Sequence, residues 1–453
     1  MAMGKRKRQR QDELWIATGE IATGPGSPFY AKLNGVLGKA GFDRWAEQRC
    51  AKFYAENIGR PGVPPGVYFR MIMIGYLEGI DSERGIAWRC ADSLSLREFL
   101  GYTLTERTPD HSTLSVVRGR IDLETHQEVF CWILARLGEA GLLRGKTIGI
   151  DATTLEANAA MRSIIRRDTG EGYDEFLEQL AKESGIETPT REDLAKVDKK
   201  RKNKASNDDW QSPHDPDSKI TKMKDGRTHL AHKAEHAVDM ETGATVAVTI
   251  QPAHRGDTTT IGQTLRETME NLDEVSDDEC RYEMREVVTD KGYHSNGVLR
   301  DLAAMELRSY ASEPKRGRRN WKGKAAERDA VQANRRRIRG ERGKRLLRTR
   351  GELVERPFAH CYETGRMRRT HLRGHDAILK RLLIHVGACN LSLLMRRLFG
   401  VGTPRTLQGL AAPALRVLSR LCQRLRLATA RLCFHNFTGA MLRPWPRPTV
   451  RIA

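Results

Sequence analysis

The chain has 453 residues, a formal net charge of +20 and a sequence pI near 9.8. Its length exceeds one ordinary domain, and a hydrophobic content of 39% suits folded units with real cores and excludes a wholly disordered chain. The excess of cations points to a polyanionic partner, nucleic acid before any small substrate.

The eight cysteines (Cys50, Cys90, Cys131, Cys280, Cys361, Cys389, Cys422 and Cys433) are scattered, with no C-x-x-C pair. They frame neither a zinc site nor a disulfide set and read as reduced, intracellular thiols. Met1 to Gln11 is basic, but no apolar core of signal-peptide length follows, and no run approaches the roughly 18 apolar residues of a membrane span. The expectation is a cytoplasmic, nucleoid-associated protein with no membrane partner.

Residues 1–24 read as a basic flexible arm. Residues 25–144 are patterned as an all-helical domain: apolar residues recur at spacings of three and four in Tyr68–Leu77 and Val129–Leu137. Pro64-Pro65 and the capping-box spacing Ser95-Leu96-Arg97-Glu98 mark helix starts. Thr108-Pro109-Asp110-His111 opens a short helix carrying Arg118 and Arg120, either a recognition helix for DNA or a capped bundle helix with exposed arginines.

Lys146-Thr147-Ile148-Gly149-Ile150 then runs as a strand into Asp151, where the strand is expected to end. A buried strand tolerates such an acid only where something binds its charge. About residues 161–226 form a polar insertion with one helix near Tyr173–Glu183, expected to be mostly exposed and mobile. Thr228–Asp239 and Ala244–Gln251 pattern as a hairpin, followed by a helix over 258–272, a strand over 285–289 that leads into Asp290, a helix over 296–307 and a strand over 308–311. This order is that of a ribonuclease-H-like α/β fold: a mixed sheet flanked by helices, here over residues 145–400 and preceded by the helical domain.

Between Glu313 and Arg350 stand sixteen Lys/Arg against four Asp/Glu, including Arg335-Arg336-Arg337. A charge run is usually a solvated face. This one immediately precedes Glu352 and Glu355, so it would bring phosphates to carboxylates, and binding through it should weaken steeply with salt. Trp321 within it is placed to stack on an unpaired base or to pack locally. An apolar helix over 376–399 closes the core, and residues 401–453 form a basic tail without a recognisable motif.

Asp151, Asp290 and one of Glu352 or Glu355 are the candidate catalytic acids. Phosphodiester cleavage needs an activated water and stabilised phosphate charge, and two Mg²⁺ (or Mn²⁺) ions held by hard carboxylate oxygens supply both. Glu352 and Glu355 share a helix face one turn apart, so only one is expected to reach the metals. Lys291 and Arg356, each beside a candidate acid, read equally as contacts to DNA phosphate or as salt-bridge partners.

The stretches Gly149-Ile150-Asp151-Ala152-Thr153-Thr154, Asp225-Gly226-Arg227-Thr228-His229-Leu230, Thr289-Asp290-Lys291-Gly292-Tyr293-His294 and Val354-Glu355-Arg356-Pro357-Phe358 resemble bacterial insertion-sequence transposases of the DDE type. Pro109-Asp110-His111-Ser112-Thr113-Leu114 is similar to the InsH-like N-terminal domain of that group. The resemblance implies a metal-dependent enzyme that cuts DNA at terminal inverted repeats and joins the 3′ ends to a target. Asp151, Asp290 and Glu355 fall on its triad, and synapsis of two ends implies at least a homodimer. One departure is Gly351, where many relatives carry an arginine four residues before the glutamate; Arg348 stands four before Glu352 instead.

Two duller readings compete. His229, His232 and His236 would share a helix face as zinc ligands, but on a strand His229 faces away from the other two. Asp208, Asp209, Asp215 and Asp217, among prolines, are expected to form turns. A tyrosine recombinase is excluded because no tyrosine follows Tyr362. A catalytically dead remnant that only binds DNA is the alternative function.

Overall fold

A computed structural model describes residues 26–55, 62–201, 205–223, 225–315, 317 and 319–404. The basic arm, Lys202–Lys204 and nearly all of the tail lie outside them.

Among the described residues seven α-helices come first: α1 (Pro28–Lys39), α2 (Phe42–Cys50), α3 (Pro65–Glu78), α4 (Glu83–Asp92), α5 (Leu94–Leu100), α6 (His111–Arg120) and α7 (Leu123–Glu139). Pro65 opens α3 at its first turn, where a missing N–H costs nothing. Beyond it Tyr68 to Leu77 are buried all round, the pattern of a central core helix. The capping-box expectation shifts by two residues. Ser93 is the residue in extended conformation, and its Oγ accepts from Leu96 N at 3.4 Å, so Ser95 lies inside α5.

The last helix among the described residues, α14 (His375–Phe399), packs on α3 and α7 rather than on the sheet alone. Two glycines permit the close approach. A Cβ at Gly75 would lie 2.2 Å from Arg381 Nη2, and one at Gly387 would lie 2.8 Å from Ile133 Cδ1. Asn390 ties the same helix to the sheet, accepting from Thr245 N at 3.0 Å and donating to Thr245 O at 2.8 Å. By length and composition α14 could cross a membrane, contrary to the expectation that no run is apolar enough. Its apolar surface is instead taken up by protein, from Ile378 through Met395.

The main sheet runs β4 (Lys219–Lys222), β5 (Thr228–Asp239), β1 (Thr147–Glu156), β7 (Glu286–Thr289) and β8 (Arg308–Ala311), with β6 (Thr245–Pro252) also paired to β5. β5 lies antiparallel to β1, whereas β1, β7 and β8 are mutually parallel. α10 (Asp257–Glu274) covers one face through Ile261, Leu265 and Leu272 on Ile148, Ile150, Val246 and Val287. α11 (Asn296–Ala304) joins β7 to β8, and α12 (Ala325–Arg339) leads to α13 (Glu341–Phe358), which crosses the opposite face. α13 continues into a π-helical turn over Ala359–Thr364. The order and helical layers are those of the ribonuclease-H-like fold.

β1 does not end at Asp151. Its antiparallel ladder with β5 continues to the Glu156–Ala231 pair, while its parallel ladder with β7 stops at Ile150–Thr289. The long partner sets the strand's length, so Asp151 stands mid-strand at the first position beyond the short one.

The insertion is also more ordered than its polarity suggests. β2 (Ile165–Arg166) pairs with β3 (Trp210–Gln211), and α8 (Tyr173–Glu183) and α9 (Arg191–Lys200) stand between them. Ala157, Ile164, Trp210, Ile220 and Leu230 form a small core beneath. Asp215, expected in an exposed turn, is fully buried; it pairs with His232 Nε2 at 3.0 Å and accepts from Gly374 N at 3.1 Å. Asp217 likewise accepts from His375 N at 2.9 Å. These long-range partners, invisible in local composition, tether the insertion.

Candidate active site

The β1–β7 register places Asp151 and Asp290 side by side, because each follows directly on the last paired residues Ile150 and Thr289. Neighbouring strands are about 4.8 Å apart, and ligand sites in parallel sheets lie beyond the carboxyl ends of the strands. Asp290 caps a 3₁₀ turn over Lys291–Tyr293, its Oδ1 accepting from Gly292 N at 2.8 Å. Asp151 Oδ1 accepts from the Ala152 amide at 2.8 Å, and Oδ2 accepts from Arg350 Nη1 at 2.9 Å. Burial pushes the Asp151 carboxyl above its ordinary value; Arg350 opposes that shift and the neighbouring charge of Asp290 adds to it.

α13 brings Arg350 to this place. A Cβ at Gly149 would lie 2.6 Å from both Val354 Cγ2 and Met240 Sδ, so only glycine lets the helix lie this close to β1. Further along, Phe358 lies against His236, with ring centroids 4.7 Å apart, and the Tyr362 hydroxyl bonds His236 Nε2 at 2.6 Å. His236 is the β5 residue opposite Asp151, and burial lowers its pKa to about 3. A neutral histidine thus pins the helix to the strand pair that carries Asp151.

Glu352 and Glu355 are both exposed and lie on one face of α13, about 60° apart. At about 100° per residue both lie roughly opposite Arg350 around the helix, about 160° and about 140° from it, and Glu352 pairs with Arg356. Glu355 folds back along α13, its Oε1 3.9 Å from the Cβ position of Gly351, the neighbour of Arg350. Arg342 of α13 holds Glu286 at the amino end of β7. As the side chains lie, neither glutamate forms a cluster with Asp151 and Asp290.

Arg350 is the site residue that reading the motifs missed. It closes the basic run, and its role is visible only once α13 crosses β1. The other cations are divided. Arg118 pairs with Glu83, and Arg120 is exposed with its guanidinium 5.1 Å from the Tyr54 ring centroid. Arg335 pairs with Glu313 at 2.7 Å, Arg337 donates to Ser309 O and Oγ at 2.9 Å, and Lys291 is exposed. Arg336, Arg339, Arg345 and Arg348 are exposed and form no ion pair with a described residue. Trp321 packs on the cluster of Leu299, Ala311, Ala330 and Val331.

The three histidines do not meet. His229 pairs with Asp225 at 2.8 Å, His232 with Asp215 and His236 with Tyr362. Among the described residues no three acids, imidazoles or thiols stand together in ligand geometry as the side chains lie. The Asp151–Asp290 pair nonetheless fits a hard divalent cation. It offers only carboxylate oxygens, and the like charge and burial that press on Asp151 are what a cation relieves.

A ribonuclease-H-like sheet with paired aspartates at the end of its parallel strands defines the class. Residues 25–120 match the family described as transposase domain (DUF772), and residues 176–391 match the transposase DDE domain, a segment that includes Asp290 and α13 and begins after Asp151. The chain belongs to the DDE-domain transposases. No curated protein and no solved structure matches it.

Proposed function

We propose that this transposase cleaves DNA at the ends of its element and transfers the 3′ ends to target DNA, with Asp151, Asp290 and Glu355 as its catalytic acids. The observation that carries the reading is the adjacency of Asp151 and Asp290 at the end of the β1–β7 ladder, facing a helix that holds a cation against one of them. Bound there, Mg²⁺ or Mn²⁺ would activate the attacking water and neutralise charge on the phosphate. Asp151 and Asp290 would hold the ions. Glu355 is favoured over Glu352 because Glu352 is engaged by Arg356, whereas Glu355 is exposed and forms no ion pair with a described residue. Arg350, once displaced from Asp151, has its guanidinium beside the site and can take a phosphate oxygen.

The exposed cations of α12 and α13, Arg336, Arg339, Arg345 and Arg348, form the surface offered to the DNA backbone, with Lys291 at the mouth of the site. Arg118 and Arg337 serve this surface less directly, because each is already spent on a protein partner. Synapsis of two ends requires a homodimer or a larger assembly. The test is metal-dependent cleavage of end-sequence DNA. Wild type should cut, and Asp151→Asn and Asp290→Asn should bind DNA but not cut. A wild-type protein that binds the ends and never cuts them would identify a dead remnant.

A further inference from the structure

A buried polar network lies directly beneath the turn that carries Asp290, and the two-metal reading makes no use of it. Tyr293, three residues beyond Asp290, is buried, and its hydroxyl donates to Glu235 Oε1 at 2.8 Å. Glu235 stands on β5 with no exposed surface. It also accepts from Thr260 Oγ1 at 3.0 Å and from Thr264 Oγ1, both on α10. Lys233 lies 3.6 Å from Glu235 and donates to Asp257 Oδ1 at 2.6 Å. The other oxygen of Asp257 packs under the turn: a Cβ at Gly292 would lie 2.5 Å from Asp257 Oδ2 and 3.1 Å from Asp290 Oδ1.

Burying a carboxylate is costly, and apolar side chains could hold β5 to α10 equally well. What this network adds is direction. The carboxylate accepts three hydroxyl donors at fixed angles, one of which belongs to the turn. We propose that Glu235 is a positioning residue for Asp290. It acts through the Tyr293 hydroxyl, while the Lys233–Asp257 pair braces Gly292, so that the second aspartate is held at the place a divalent ion requires. The inference rests on the reading of Asp290 as a metal-holding acid. Groups that orient metal ligands from behind typically govern metal affinity by about 10- to 100-fold.

The experiment uses the full chain and Mn²⁺ alone, titrated by calorimetry without DNA, beside the Mn²⁺ dependence of end cleavage and thermal unfolding. Tyr293→Phe, which removes a single hydroxyl, should unfold near the wild-type temperature yet bind Mn²⁺ about 10-fold more weakly. Its cleavage should recover at saturating Mn²⁺. Glu235→Gln should move the same two quantities in the same direction; where it fails to fold, Tyr293→Phe carries the test. A folded Tyr293→Phe with wild-type Mn²⁺ affinity overturns the positioning role. Asp290→Asn separates the two ideas: Mn²⁺ binding unchanged by that substitution overturns the metal reading itself and the positioning role with it.

Discussion

Replacing Arg350 by alanine should make the protein bind metal more tightly while cutting DNA less well. In the wild type the guanidinium donates to Asp151 Oδ2 at 2.9 Å, with side chains only 15% and 22% exposed, so the bond is well sheltered from water. A cation arriving at that oxygen must displace Arg350 or share the oxygen with a like charge. Hydrogen bonds to charged groups contribute about 1.5–3 kcal/mol. Removing the competitor should therefore tighten Mn²⁺ binding by roughly 10- to 100-fold, since about 1.4 kcal/mol corresponds to a factor of ten. Without metal the variant leaves Asp151 beside Asp290 with no counter-charge, so its thermal stability should fall and Mn²⁺ should restore it by a larger increment than in the wild type. The assay is Mn²⁺ titration of DNA-free wild type and Arg350→Ala by calorimetry, with thermal unfolding at matched metal concentrations. Unchanged or weaker Mn²⁺ binding by the variant would refute the view that Arg350 occupies the place of a metal.

Three further outcomes follow from the same geometry. The Asp151 pKa is raised in the folded chain, so native protein holds the proton more firmly; stability falls as pH rises from the ordinary carboxylate range through the raised value, and the cost is complete above it. Metal-free Asp151→Asn should accordingly be at least as stable as wild type at pH 7 by thermal unfolding, and Mn²⁺ affinity of the wild type should climb across the same pH window. Glu355→Gln should reduce cleavage at least about 100-fold, as loss of a group acting in the transition state does, whereas Glu352→Gln should stay within a few-fold; the reverse order in a single-turnover assay would exchange their roles. Gly149→Ala should cost roughly 1–3 kcal/mol in denaturant unfolding through overpacking against Val354 and Met240, and should lower cleavage by lifting α13 from β1.

Much of the sheet could be read from alternation and punctuation. β5, β6, β7 and β8 fall within a residue or so of their expected bounds because each is a short apolar or alternating run between turn residues. The errors share a cause. Composition made residues 161–226 look unable to bury anything, yet Asp215 is satisfied by His232, on the strand that follows the segment, and by Gly374, far beyond it in the chain. Ser95 fitted a capping pattern, but which serine takes an extended backbone depends on how α4 meets α5.

The chain by itself determined which acids could serve and in what order the strands and helices come, because periodicity and residue type are local properties. Tertiary structure alone decided that Asp151 stands mid-strand at the end of a shorter parallel partner and that Arg350 covers it. Those facts depend on strand register, on the angle at which a helix crosses a sheet, and on one glycine that lets the two approach, none of which a linear pattern encodes.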